Sequence, residues 1–171
     1  MLMDTGHSTP PRTPIADDIA PDALIARYLA GPALVRDTIA GMDEGQLQAR
    51  PILGKMSTHD VVTHIVDSEG GLGGRVKRAI AGEEVPLLVG GRHPEPVCDP
   101  DRDLVADLEV LTAKREQMAE ELRALPADTW ELVALRRDDR VMTVRQVLVL
   151  MTRHLENHVA AIEEKKAALG L

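Results

Sequence analysis

Residues 143–170 read TVRQVLVLMTRHLENHVAAIEEKKAALG, and this stretch decides the fold class. Thr143 stands three residues ahead of Gln146, the capping-box spacing in which a hydroxyl takes the third amide and the amide side chain reaches back. Val144, Val147, Leu148, Met151, His154, Leu155, His158, Ala161 and Ile162 then recur at three- and four-residue steps, one face of a long helix. Gly170 follows as its C-cap.

Working back along the chain, residues 103–125 carry Leu104, Leu108, Leu111, Met118, Leu122 and Leu125, the seam of a helix bundle, and Pro126 stops it. A helix over residues 57–81 opens with Ser57 and Asp60 at capping-box spacing and shows Thr58, Val61, Val62, Ile65 and Leu72 on one side. Gly70, Gly71, Gly73 and Gly74 weaken its middle, at ~1 kcal/mol each against Ala. They predict a bend, an early end, or close approach of another backbone. The first helix spans residues 21–39, with a break near Gly31 because Pro32 follows. No stretch reads as a strand.

Residues 82–102 hold Pro86, Pro94, Pro96 and Pro100, too long a link for an antiparallel hairpin of helices, which needs only ~2–8 residues. The second and third helices should therefore run parallel, joined by this crossover. The expected architecture is all-α, a four-helix bundle over residues 21–171, preceded by a flexible arm over residues 1–20 rich in proline.

Composition narrows the function. Twenty basic residues against 28 acidic ones leave −8, which disfavours nonspecific nucleic-acid binding. Tyr28 and Trp130 are the only aromatic residues, so bases have nothing to stack on. The longest aliphatic run, residues 147–151, falls far short of the ~20 residues that span a bilayer. Cys98 is alone, which leaves no intrachain disulfide and no paired-cysteine motif. With no signal-peptide pattern in residues 1–18, a cytoplasmic protein without nucleic-acid or membrane partners is the expectation.

Chemistry concentrates on the last helix. At ~100° per residue, His154 lies ~60° and His158 ~20° from Met151, so both imidazoles enter the apolar stripe. One turn apart, they have the spacing of two ligands to one metal ion, although two core histidines bonded to each other would fit the same pattern. This is not the zinc-protease motif, since Glu156 takes the third place of the five and should face solvent. A third ligand is available from His64, at the flank of the second helix beside Asp60, Asp67 and Ser68. His59 falls on the opposite side and should be exposed, while His7, His93 and Cys98 lie in the arm and the crossover. A di-iron carboxylate site is excluded, because none of these histidines has a Glu three residues before it.

Residues 56–69 read Met-Ser-Thr-His-Asp-Val-Val-Thr-His-Ile-Val-Asp-Ser-Glu. They resemble the Trp-Ser-x-x-Glu-x-x-x-His-Leu-x-Asp-x-Glu hallmark of the DinB/YfiT-like superfamily of metal-binding four-helix bundles. Met56 replaces the Trp and Asp60 the Glu. The superfamily's second hallmark, His-x-x-x-His after a Thr-Val-Arg start, is matched by Thr143, Val144, Arg145, His154 and His158. The resemblance implies that His64, His154 and His158 hold a divalent transition metal, zinc, nickel or iron, with positions left open for water or substrate. It further implies a metal-dependent enzyme on a small molecule. One form is an S-transferase using a low-molecular-weight thiol; the other is a hydrolase. A homodimer is also implied. The competing reading is a non-catalytic metal- or ligand-binding bundle acting through dimerisation. Its metal would be closed off by a fourth protein ligand such as Asp60 or Asp67. Arg75, Lys77, Arg78, Arg92 and Arg153 are candidates, by chain position alone, to bind a thiol cofactor's carboxylates.

Overall fold

The structure is a computed structural model that describes residues 14–16, 18–83, 85, 99–137 and 140–171. Most of the crossover, with Arg92, His93 and Cys98, lies outside the described residues, as do His7 and most of the arm. The described end of the arm is tied down: Ile15 is buried, and its carbonyl accepts from Arg153 Nη2 at 2.7 Å.

The first helix is broken where Pro32 requires it, into α1 (Pro21–Leu29) and α2 (Gly31–Ile39). A short α3 (Glu44–Gln48), with its own Asp43–Gln46 capping box, follows α2. α4 (Thr58–Ile80) is capped by Ser57 and Asp60 as its sequence predicts, and it runs through all four glycines without a break. Close approach explains one of them, since a Cβ at Gly73 would stand 3.3 Å from Met118 Cε. α5 (Leu104–Arg123) starts at an Asp103 cap. α6 (Val144–Leu169) has the Thr143–Gln146 box at one end and left-handed Gly170, φ 77°, at the other.

Between α5 and α6 the chain departs from the all-helical expectation. A 3-10 turn (Ala127–Glu131) leads into a two-stranded antiparallel hairpin, β1 (Val133–Arg137) and β2 (Arg140–Thr143), which delivers the chain to the α6 cap. Strands of five and four residues are too short to show a period-two pattern.

Side-chain pairings fix the helix directions. Glu69 meets Arg115 and Lys77 meets Glu121, so α4 and α5 run parallel, as the long crossover demands. Gly73 faces Met151 while His64 faces His154, so α6 is antiparallel to α4. The apolar core forms two clusters. One gathers Tyr28, Val76, Met118, Trp130 and Val147, the other Val35, Ile65, Leu108, Leu155 and Ile162.

An ion pair lies where these clusters meet. Arg115, 1% exposed, donates through Nε and Nη2 to Glu69 Oε2 at 3.1 and 2.7 Å, and through Nη1 to the Tyr28 carbonyl at 2.6 Å. The Tyr28 hydroxyl donates to Glu69 Oε1, and the guanidinium stacks 4.3 Å from the Tyr28 ring centre. Burial, then the Glu69 charge, push the Tyr28 phenol far above its usual range, so it remains a donor. Gly31 makes room for this arrangement: a Cβ there would lie 2.4 Å from Arg115 Nη1 and 2.9 Å from Leu155 Cδ1.

Two stability predictions follow from this contact. Gly31→Ala will overpack the junction and cost about 1–3 kcal/mol in urea unfolding, despite alanine's better helix propensity. Glu69→Gln will cost about 3–5 kcal/mol by leaving the guanidinium uncompensated, and adding Arg115→Met will recover most of that loss. Equal losses in the single and double variants would sink the second expectation.

Candidate metal centre

α4 and α6 bring the three histidines together. His64 projects from the second turn of α4. His154 and His158, one turn apart on α6, meet it across the antiparallel seam. His154 Nε2 stands 3.3 Å from His64 Nε2 and 3.1 Å from His158 Nε2. The ring centres are 5.2, 4.9 and 4.5 Å apart, and the rings are tilted or edge-on to one another. Three nitrogens each about 2.0–2.1 Å from a tetrahedral ion would be separated by about 3.3–3.4 Å, close to the two spacings that His154 makes. The rings are not stacked, their ligand nitrogens all lie within 4.8 Å of one another, and all three residues are half-buried, which leaves a way in.

Electrostatics keep the nitrogens available. Burial, reinforced by His64 and Arg115, lowers His154 to about 4. Burial, then His154, His64 and Lys165, lowers His158 to about 3. Both imidazoles are neutral at pH 7, the protonation state that ligates a metal.

The carboxylates expected beside His64 are engaged elsewhere. Asp60 Oδ2 accepts from Arg50 Nη2 at 2.6 Å and from the Ser57 amide at 3.1 Å. Asp67 pairs with Arg102, which also binds Asp107. Of the polar group on that flank, Ser68 approaches the site, its Oγ 3.4 Å from His64 Nε2. Among the described residues, the cluster of candidate ligands contains no carboxylate.

Two sequence expectations fail here. His59, expected in solvent, is 4% exposed, with Nε2 3.2 Å from the Arg102 carbonyl. Its angle from Val61 is as expected, but α3 and the residues leading into α5 cover that side of the α4 first turn. Glu156, also expected in solvent, receives both arms of Arg27 at 2.6 and 3.0 Å, because α1 lies along this side of α6.

Two residues near the histidines escaped the sequence reading. Arg115 occupies the seam position skipped between Leu111 and Met118, a gap of seven that hides a buried cation. Lys165 continues the histidine stripe, seven residues beyond His158, and is buried. The proposed cations Lys77 and Arg153 are committed to Glu121 and the Ile15 carbonyl, and Arg78 pairs with Glu83.

The low histidine values have a thermodynamic consequence. Unfolding returns each ring to about 6.5, so the unfolded chain binds protons that the native protein refuses. Protein stripped of metal by a chelator will thus hold full histidine-linked stability above pH 6.5. It will lose that stability as the pH falls toward about 4 and then about 3. Urea midpoints measured from pH 7.5 to 4 will fall more steeply for the parent than for His154→Gln/His158→Gln; parallel slopes would contradict it.

No curated protein matches the sequence significantly. Among solved structures the chain is similar to YfiT from Bacillus subtilis, described as "a probable metal-dependent hydrolase with an unusual four-helix bundle topology". The TM-score is 0.76, at 23% identity over 94% of this chain and 93% of that one, a likeness that speaks for the fold. The family model of the DinB superfamily matches residues 27–162, a span that includes all three converging histidines, and the chain belongs to that superfamily.

Proposed function

We propose that the protein is a metal-dependent enzyme acting on a small molecule, with His64, His154 and His158 as ligands to a divalent transition metal such as zinc, nickel or iron. The observation that carries this reading is the gathering of three imidazoles, two of them held neutral by burial, with no carboxylate among the clustered donors of the described residues. Three ligands and an open position are the pattern of catalytic sites, whereas structural sites are closed by a fourth. Asp60 and Asp67, which could have closed it, are held by Arg50 and Arg102.

Bound there, the metal would act as a Lewis acid that lowers the pKa of an incoming nucleophile. If that nucleophile is a low-molecular-weight thiol, the protein is an S-transferase; if it is water, the protein is a hydrolase, the class named for YfiT. The chain's own residues supply the rest. The imidazoles are fixed on two packed helices, and burial keeps His154 and His158 unprotonated. Arg115 tethers α4 to α5 behind the site. The reading includes a homodimer in the cytoplasm. No helix of the described residues is long and apolar enough to cross a membrane.

Metal content by mass spectrometry, on protein purified without a histidine tag, tests it. The parent will carry near-stoichiometric metal. His158→Ala will lose affinity by more than about a hundredfold, beyond the ~10–100-fold typical of outer-shell changes. A parent that stays metal-free after exposure to zinc, nickel and iron would end this reading.

A further inference from the structure

Among the described residues, three of the arginines around the histidines are paired with acids, and Lys165 is not. Arg115 is paired with Glu69, Arg27 with Glu156, and Arg102 with Asp67 and Asp107. Lys165 is 3% exposed, yet among the described residues its Nζ has one hydrogen-bond partner, the Ala161 carbonyl of its own helix at 2.9 Å, and no carboxylate at ion-pair distance. An ammonium has three protons to give, and burying one without an acid partner is costly.

Its place on α6 gives that cost a use. At ~100° per residue, Lys165 falls between His154 and His158 in angle, ~20° from each, and its side chain turns back along the helix to reach Ala161. The ammonium is thereby drawn up the histidine stripe to the turn just beyond His158.

We propose that Lys165 is the anion anchor of the site: it binds a carboxylate on the small molecule whose other end takes the open metal position. This rests on the metal-dependent reading and adds the substrate class, a molecule with a metal-seeking group and a carboxylate a few bonds away. The carboxylate would supply an acid partner at hydrogen-bond distance, where Glu164 acts on the ammonium only through its field.

The test uses full-length protein loaded with Co2+ and two thiols that differ at one end, 3-mercaptopropanoate and 3-mercaptopropan-1-ol. Thiolate binding, with release of the thiol proton to buffer, is followed by the visible charge-transfer band. The parent will bind the carboxylate thiol about tenfold more tightly than the alcohol, the contribution of one charge-assisted hydrogen bond. Lys165→Met will lose that preference while keeping its cobalt, and Lys165→Arg will retain it. Chelation by the carboxylate alone is controlled, because it persists in Lys165→Met. An equal preference in parent and Lys165→Met, with cobalt bound in both, overturns the anchor and leaves the metal reading intact. A parent that takes up no cobalt overturns both.

Discussion

The contact between Arg115 and Glu69 is the constraint around which the rest is arranged. A guanidinium and a carboxylate removed from water are tolerated when every donor and acceptor is placed, and here α1, α4 and α5 each supply a partner. The effect is on register more than on net stability. Sliding α5 by one turn against α4 would leave a charge buried and unpaired, so the parallel pair has one low-energy alignment. The break between α1 and α2 belongs to the same constraint: Gly31 yields the volume that Arg115 Nη1 and Leu155 occupy.

With α4 held in this way, the rest of the site follows from the antiparallel packing of α6. His64 is placed by the register of α4, and His154 and His158 by the stripe of α6. The surrounding charges are sorted so that acids are drawn away from the ring nitrogens and cations remain near them. That sorting favours neutral forms of His154 and His158 and negatively charged incomers.

Much of this was legible in the sequence because it is local. Capping boxes at Ser57 and Thr143, the Pro32 break, the Gly170 terminus and the histidine spacing all lie within a few residues of their cause. The parallel run of α4 and α5 was legible from the length of the link alone. What escaped depends on neighbours distant in the chain. His59 and Glu156 were placed on exposed faces by angle, but a single helical wheel carries no record of α3 or α1 lying against it. The hairpin is too short to declare itself. Arg115 was hidden as an omission in a leucine seam, and only the partner helices show that this omission is the polar centre of the core.

The separation of the histidines along the chain has a kinetic meaning. His154 and His158 share one helix and can present a ligand pair as soon as α6 forms. His64 lies 90 residues away from His154, on the far side of the crossover. Bringing such distant points together costs of order 4–5 kcal/mol of chain entropy, which the packing of the bundle meets before an ion could hold both ends. Three-point ligation therefore belongs to the last stage of folding, after the bundle has closed. On the proposed reading, an ion bound there would act as a clasp on the finished molecule, slowing its opening without guiding its early collapse.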